Sequence, residues 1–84
     1  MADIVTQLEI RRQISGCETD MRRATERATD AVRAISRATV LFQSPVEINL
    51  DVVEGAVGDI RDARHAYLAA LKKKQELKAT LGEE

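Results

Sequence analysis

Apolar residues, many of them alanine, recur along both halves of this chain at alternating intervals of three and four residues. A 3-4 repeat kept without a slip over many turns is typical of the residues that face a partner helix in a coiled coil. Because alanine is small, two helix backbones can approach closely along such a seam. The repeat comprises Ile10, Ile14, Cys17, Met21, Ala24, Ala28, Ala31, Ile35, Ala38 and Phe42, then Val46, Asn49, Val53, Ala56, Ile60, Ala63, Tyr67, Ala70, Lys74, Leu77 and Leu81.

A turn signal, Gln43-Ser44-Pro45, separates the two runs. Ser44 can cap a helix, proline suits the first helical position, and Glu47 completes a capping box. We therefore predict one domain over residues 1–84, with helix 1 at about 4–43, a turn at about 43–48 and helix 2 at about 46–80. A later start, with Asn49 or Asp51 as the cap after an extended connector, remains open.

The predicted fold is all-α, an antiparallel helical hairpin built as an alanine-rich coiled coil. Folding at Pro45 sets large residues against alanines, for example Ala31 opposite Ile60 and Ala24 opposite Tyr67. A register shifted by one heptad also pairs large with small residues and fits the later start of helix 2. The predicted seam within the hairpin consists of Met21, Ala24, Ala28, Ala31, Ile35, Ala38, Val53, Ala56, Ile60, Ala63, Tyr67 and Ala70.

Charged residues support the first register. Asp20 is expected to face Lys73 along one edge of the seam, and Arg37 is expected near Glu54. Exposed ion pairs contribute under about 1 kcal/mol each, so they favour a register without holding the fold.

A second apolar stripe flanks the seam and predicts an interface. It consists of Val32, Thr39, Leu50, Val57 and Leu71. Two helices cannot enclose a deep core, and the chain has only one Phe, one Tyr and no Trp. Since an exposed apolar strip usually marks an interaction site, we expect two hairpins to dimerise into a four-helix bundle with twofold symmetry.

Side chains that carry chemistry are scarce, so we predict no catalytic residues, no metal site, no cofactor and no enzyme. His65 is the only histidine and falls at an outer helix position. Cys17 is the only cysteine and lies on the seam, where a thiol behaves as a small apolar group. Lys74, also on the seam, either fixes the register or extends its charged end to the surface.

Three functions follow in order of preference. The first is a non-enzymatic structural or protein–protein interaction module, a homodimer. The second is an adaptor or chaperone that binds a helix of a different protein. The third is a small nucleic-acid-binding protein, for which basic residues gather at the open end of the hairpin, away from the turn: Arg11, Arg12, Arg22, Arg23, Lys72, Lys73, Lys74 and Lys78.

The overall charge weighs against nucleic acid, because 13 basic and 14 acidic residues give a net charge of -1. No aromatic residue stands among the basic ones to stack on bases. A membrane partner is not expected, since no apolar run is long enough to span a bilayer. A single cysteine and the lack of a signal-peptide pattern favour a cytoplasmic location.

Overall fold

The computed structural model describes residues 4–39 and 44–82. They form α1 (Ile4–Ala38), a single 3₁₀ turn (Pro45–Glu47) and α2 (Leu50–Leu81), and no strand occurs within these two ranges. The two helices pack against each other along their length, in a rod of 64 × 17 × 13 Å. The predicted all-α antiparallel hairpin is thus confirmed.

The connector contains a short turn where helix 2 was expected to begin. Ser44 is extended and its side chain makes no capping hydrogen bond, so the predicted capping box is absent. One backbone bond, from the Glu47 N–H to the Ser44 carbonyl at 2.8 Å, closes the 3₁₀ turn. Ile48 then returns to an extended conformation at φ -60°, ψ 131°. Val46, a predicted member of the repeat, is 92% exposed and packs on no seam.

α2 begins at Leu50, not at about residue 46, because Asn49 supplies the cap. The Asn49 side-chain oxygen accepts a hydrogen bond from the Val52 N–H at 3.2 Å. This satisfies one of the four N–H groups that the first turn of a helix leaves without a partner. The later of the two predicted starts is the one observed, and Asn49 is a cap and not a seam residue.

The C-terminal ends of the two helices differ: α1 ends earlier than predicted, and α2 ends at a glycine cap. α1 is helical to Ala38, with Thr39 in a turn, whereas the sequence predicted helix to about residue 43; residues 40–43, including Phe42, lie outside the described residues. At the far end Gly82 adopts φ 79°, and its N–H bonds the carbonyls of Ala79 and Lys78. This left-handed cap favours glycine, which has no Cβ to clash.

The core is a row of small side chains. On α2 the buried residues are Ala56, Ala63 and Ala70, one in each heptad, and Ala63 is only 1% exposed. On α1 they are Ile10, Ile14, Cys17, Ala24 and Ala31. The larger seam residues lie beside this row and are half-buried: Met21, Ile35, Val53, Ile60 and Tyr67, together with Ala28 and Ala38.

Ion pairs between the helices show which register is present. The Arg27 guanidinium lies 3.4 Å from an Asp59 oxygen and 3.5 Å from an Asp62 oxygen. Lys74 Nζ lies 3.6 Å from a Glu18 oxygen. A hairpin shifted by one heptad could not form both contacts, so the unshifted register is present together with the later start of α2.

The two ion pairs expected from the sequence do not form among the described residues. Asp20 and Lys73 line the same groove without pairing, and Arg37 and Glu54 make no ion pair. Arg27, one heptad beyond Asp20 on the same edge, reaches α2 instead because its side chain is longer and spans two acidic residues on adjacent turns.

Candidate protein-interaction surface

The two long sides of the hairpin differ in chemistry. One side, here called the charged side, carries Asp20, Arg27, Asp59 and Lys73 beside the alanine row. The opposite side, here called the apolar face, comprises Met21, Thr25, Ala28, Val32, Ile35 and Thr39 of α1 with Leu50, Val53, Val57, Ile60, Arg64, Tyr67, Leu68 and Leu71 of α2.

The five predicted interface residues all lie on the apolar face. Val32 is 53% exposed, Leu50 65% and Val57 43%, while Thr39 is exposed and Leu71 half-buried. The structure thus leaves this stripe largely uncovered within one chain. Large apolar side chains with this much exposure are ready to be buried against another surface.

A groove of about 340 Å³ crosses the apolar face near the middle of the hairpin. Its lining is almost entirely apolar, because α1 contributes small side chains and α2 larger ones: Ala24, Thr25 and Ala28 against Ile60, Ala63, Arg64, Tyr67 and Leu68. The alanines of α1 leave a depression between two ridges. Such a depression can receive a side chain from another helix, as a hole receives a knob in a coiled coil.

Leu68 and Arg64 belong to this surface. The sequence predicted Arg64 only as an interruption of the apolar stripe, and it did not place Leu68 there. Leu68 is 48% exposed and stands between Arg64 and Leu71. The available signal was a second 3-4 repeat on α2, which runs Leu50, Glu54, Val57, Arg61, Arg64, Leu68, Leu71 and Gln75. The predicted stripe followed only positions seven residues apart, such as Leu50, Val57 and Leu71, and therefore contained half of this repeat.

The threonines on the apolar face, Thr25 and Thr39, and the neighbouring Thr29 all donate their hydroxyl protons to backbone carbonyls. The Oγ1 hydroxyls of Thr25 and Thr29 donate to the carbonyls of Met21 and Thr25, at 3.0 and 2.9 Å. The Thr39 hydroxyl donates to the Ile35 carbonyl at 2.9 Å. A buried hydroxyl without a partner costs about 1–3 kcal/mol. Since these hydroxyls are bonded to their own helix, covering them would not incur that cost.

The charged side has the features of an ordinary solvated surface. It also contains a groove, of about 420 Å³, lined by Cys17, Asp20, Arg23, Arg27, Lys73 and five alanines. The side chains of Arg27 and its partner Asp59 are 51% and 56% exposed. Solvent and salt screen such pairs, so each contributes under about 1 kcal/mol.

Lys74 extends its ammonium from the seam to Glu18. Its side chain is 22% exposed, and Glu18 lies at the same edge as the apolar face. The aliphatic stem can pack along the seam while the charged end stays wet. The Lys74–Glu18 pair therefore marks the limit of the apolar face on the side of the open end.

The remaining candidate residues are not brought together. Cys17 is a buried free thiol, and His65 is exposed on α2. Within residues 4–39 and 44–82, no three side chains of the types that bind metals converge. At the open end the charge of Arg12 is paired with Glu9 at 3.6 Å. In the part of the chain that is described, no helix has the combination of length and apolar character needed to cross a bilayer.

Comparison with known proteins found no matching family model, no matching curated protein and no matching solved structure.

Proposed function

We propose that this protein is a non-enzymatic structural or protein–protein interaction module that works as a homodimer, with two hairpins joined through their apolar faces into a four-helix bundle. The observation that carries the proposal is the uncovered apolar face beside a core of small side chains. Val32, Leu50 and Val57 are each more than 40% exposed. No large side chain among the described residues is fully buried.

The size of the chain supports a partner on physical grounds. A hairpin has one layer of contact, and small domains bury too little surface to be firmly stable alone. Fully burying a valine or leucine contributes about 1.5–3 kcal/mol, so covering the exposed half of one contributes about 1 kcal/mol. A second copy would cover several such residues at once on each chain.

The proposal is tested by sedimentation across the micromolar range, with two matched variants. Val57 on the apolar face and Val52 on the charged side are 43% and 42% exposed. Val57→Ser should raise the dimer dissociation constant about tenfold, because two sites lose about 0.7 kcal/mol each. Val52→Ser should leave it unchanged.

Equal behaviour of the two variants would contradict the apolar face as the dimer contact. A wild-type chain that remains monomeric with full helix content at these concentrations would refute the homodimer. The adaptor alternative would then be favoured, and it predicts cooperative melting only when a partner helix is present.

A further inference from the structure

Resting on the proposed homodimer, we infer that the two copies pack α2 against α2 with their turns at opposite ends, so that Arg64 of each copy pairs with Glu54 of the other. The apolar face is then covered by a second copy in one orientation and one register. The inference rests on the charges and exposed leucines of the second repeat of α2.

Arg64 and Glu54 are the charges that this arrangement explains. Arg64 lines the apolar groove, and Glu54 is exposed on the same side of α2 one and a half turns before Ile60. Neither takes part in an ion pair or a side-chain hydrogen bond among the described residues. They stand ten residues apart, about 15 Å along the helix, so they cannot pair within one chain.

An antiparallel copy of α2 brings these charges together. If the twofold axis crosses α2 at the level of residue 59, residues equally far before and after that level face each other across the interface. Glu54 then meets Arg64, Leu50 meets Leu68, and symmetry makes each contact twice. Val57 faces Arg61, whose aliphatic stem can pack on it while the charged end stays in solvent. The two leucines are 65% and 48% exposed in the single hairpin.

Neighbouring registers fit less well. If one copy slides by one heptad so that the overlap grows, Arg61 of each copy faces Arg64 of the other. The interface then contains two pairs of like charges. A slide in the other direction places Leu50 against Arg61 and Glu54 against Val57. Both shifted registers are disfavoured, because like charges that face each other and charges without a partner destabilise an interface.

The orientation with both turns at the same end offers the two charges poorer partners. There α2 would face α1 of the second copy, and Arg64 would lie against Thr25 and Thr29, which present only neutral hydroxyl oxygens. The nearest acidic residues of α1, Glu26 and Asp30, line a groove beside these threonines, and Asp30 already pairs with Arg33.

The overlap has the size expected of a weak, reversible dimer. It covers residues 50–68 of α2, about 28 Å of helix length, across a hairpin 17 Å wide. That corresponds to roughly 480 Å² on each copy, or roughly 950 Å² in total, which is the size of a weak or transient interface. On α1 the facing residues Thr25, Thr29, Val32 and Ser36 are small, so the helices can approach closely.

Charge reversal tests the pairing by sedimentation. Arg64→Glu and Glu54→Arg should each raise the dimer dissociation constant about 10–100-fold, because two attractive contacts become repulsive. The double variant keeps the wild-type net charge and should restore the dimer. An equimolar mixture of the two single variants should also restore it, since both contacts in the mixed dimer then join opposite charges.

Arg23→Glu is the matched control, because Arg23 is an exposed arginine on the charged side. It should leave the dissociation constant within about twofold of wild type. If Arg64→Glu behaves like this control while the wild-type chain is dimeric, the pairing is refuted and the proposed homodimer stands. If the double variant fails to regain the dimer, the pairing is likewise refuted. A monomeric wild type refutes the homodimer itself.

A distance measurement tests the orientation independently of charge. Gln75→Cys, made with Cys17→Ala and spin-labelled, puts one probe on the exposed surface of each α2. Residue 75 lies sixteen residues from Asp59, so the two labels should be about 50 Å apart. Turns at the same end would bring the labels within about 25 Å, since helix axes in a bundle are 8–10 Å apart. The shorter distance would overturn the orientation.

Discussion

Replacing Ala63 by leucine tests whether the alanine row is the closest contact between α1 and α2. Ala63 is 1% exposed, the lowest value in the core, and it lies between the two grooves, facing Ala24 and Ala28. Leucine adds three carbon atoms at this point. If they found space, their burial would stabilise the fold by about 0.8 kcal/mol each.

The structure argues that the added atoms do not find space between the helices. The Ala63 methyl is already enclosed, so a leucine must push α1 away or turn out into a groove. Overpacking of this kind typically costs about 1–3 kcal/mol. For a chain of this size, that corresponds to a fall in melting temperature of about 5–20 °C.

The measurement is thermal unfolding followed by circular dichroism at one fixed protein concentration, since association would otherwise shift the transition. Ala69→Leu is the control, because Ala69 is an exposed residue near the middle of α2 and leucine has a helix propensity close to that of alanine. The control should change the free energy of unfolding by less than about 0.5 kcal/mol. A rise in melting temperature for Ala63→Leu, with no change in oligomeric state, would refute the close contact.

Three further predictions concern the helix ends, the glycines and the charged side. Asn49→Ala should lower the free energy of unfolding by about 1 kcal/mol through loss of the cap, and Ser44→Ala, which removes no capping bond, should leave it unchanged in urea titrations. Gly16→Ala should stabilise the protein by about 1 kcal/mol, because a Cβ there meets no atom within 4 Å, whereas Gly82→Ala should destabilise it because φ is 79°. A lower melting temperature for Gly16→Ala than for the wild type would contradict the expected stabilisation. Arg27→Ala should cost under about 1 kcal/mol, and the loss should shrink in high salt; a salt-independent loss would show that its packing matters more than its charge.

The sequence determined the architecture because periodicity along a chain is a local property. An unbroken 3-4 repeat with a single turn signal allows few folds other than a helical hairpin, and the alanine at every seventh position of α2 identified Ala56, Ala63 and Ala70 before any coordinates. The stripe containing Val57 was visible for the same reason.

Helix boundaries and pairing partners were decided by the folded chain. Ser44 and Asn49 are both competent caps, and the choice between them depends on how the connector crosses from one helix to the other, which the repeat does not encode. The sequence favoured the register that is observed, but the ion pairs in it were not the predicted ones: Arg27 reaches Asp59 and Lys74 reaches Glu18.

The division between a charged side and an apolar face likewise emerges only in three dimensions. Residues of two helices share a side only when the register is set, and the groove beside Arg64 exists because small residues of α1 stand opposite larger ones of α2. Sequence spacing places a residue on one helix, but packing decides which surfaces of two helices join into one.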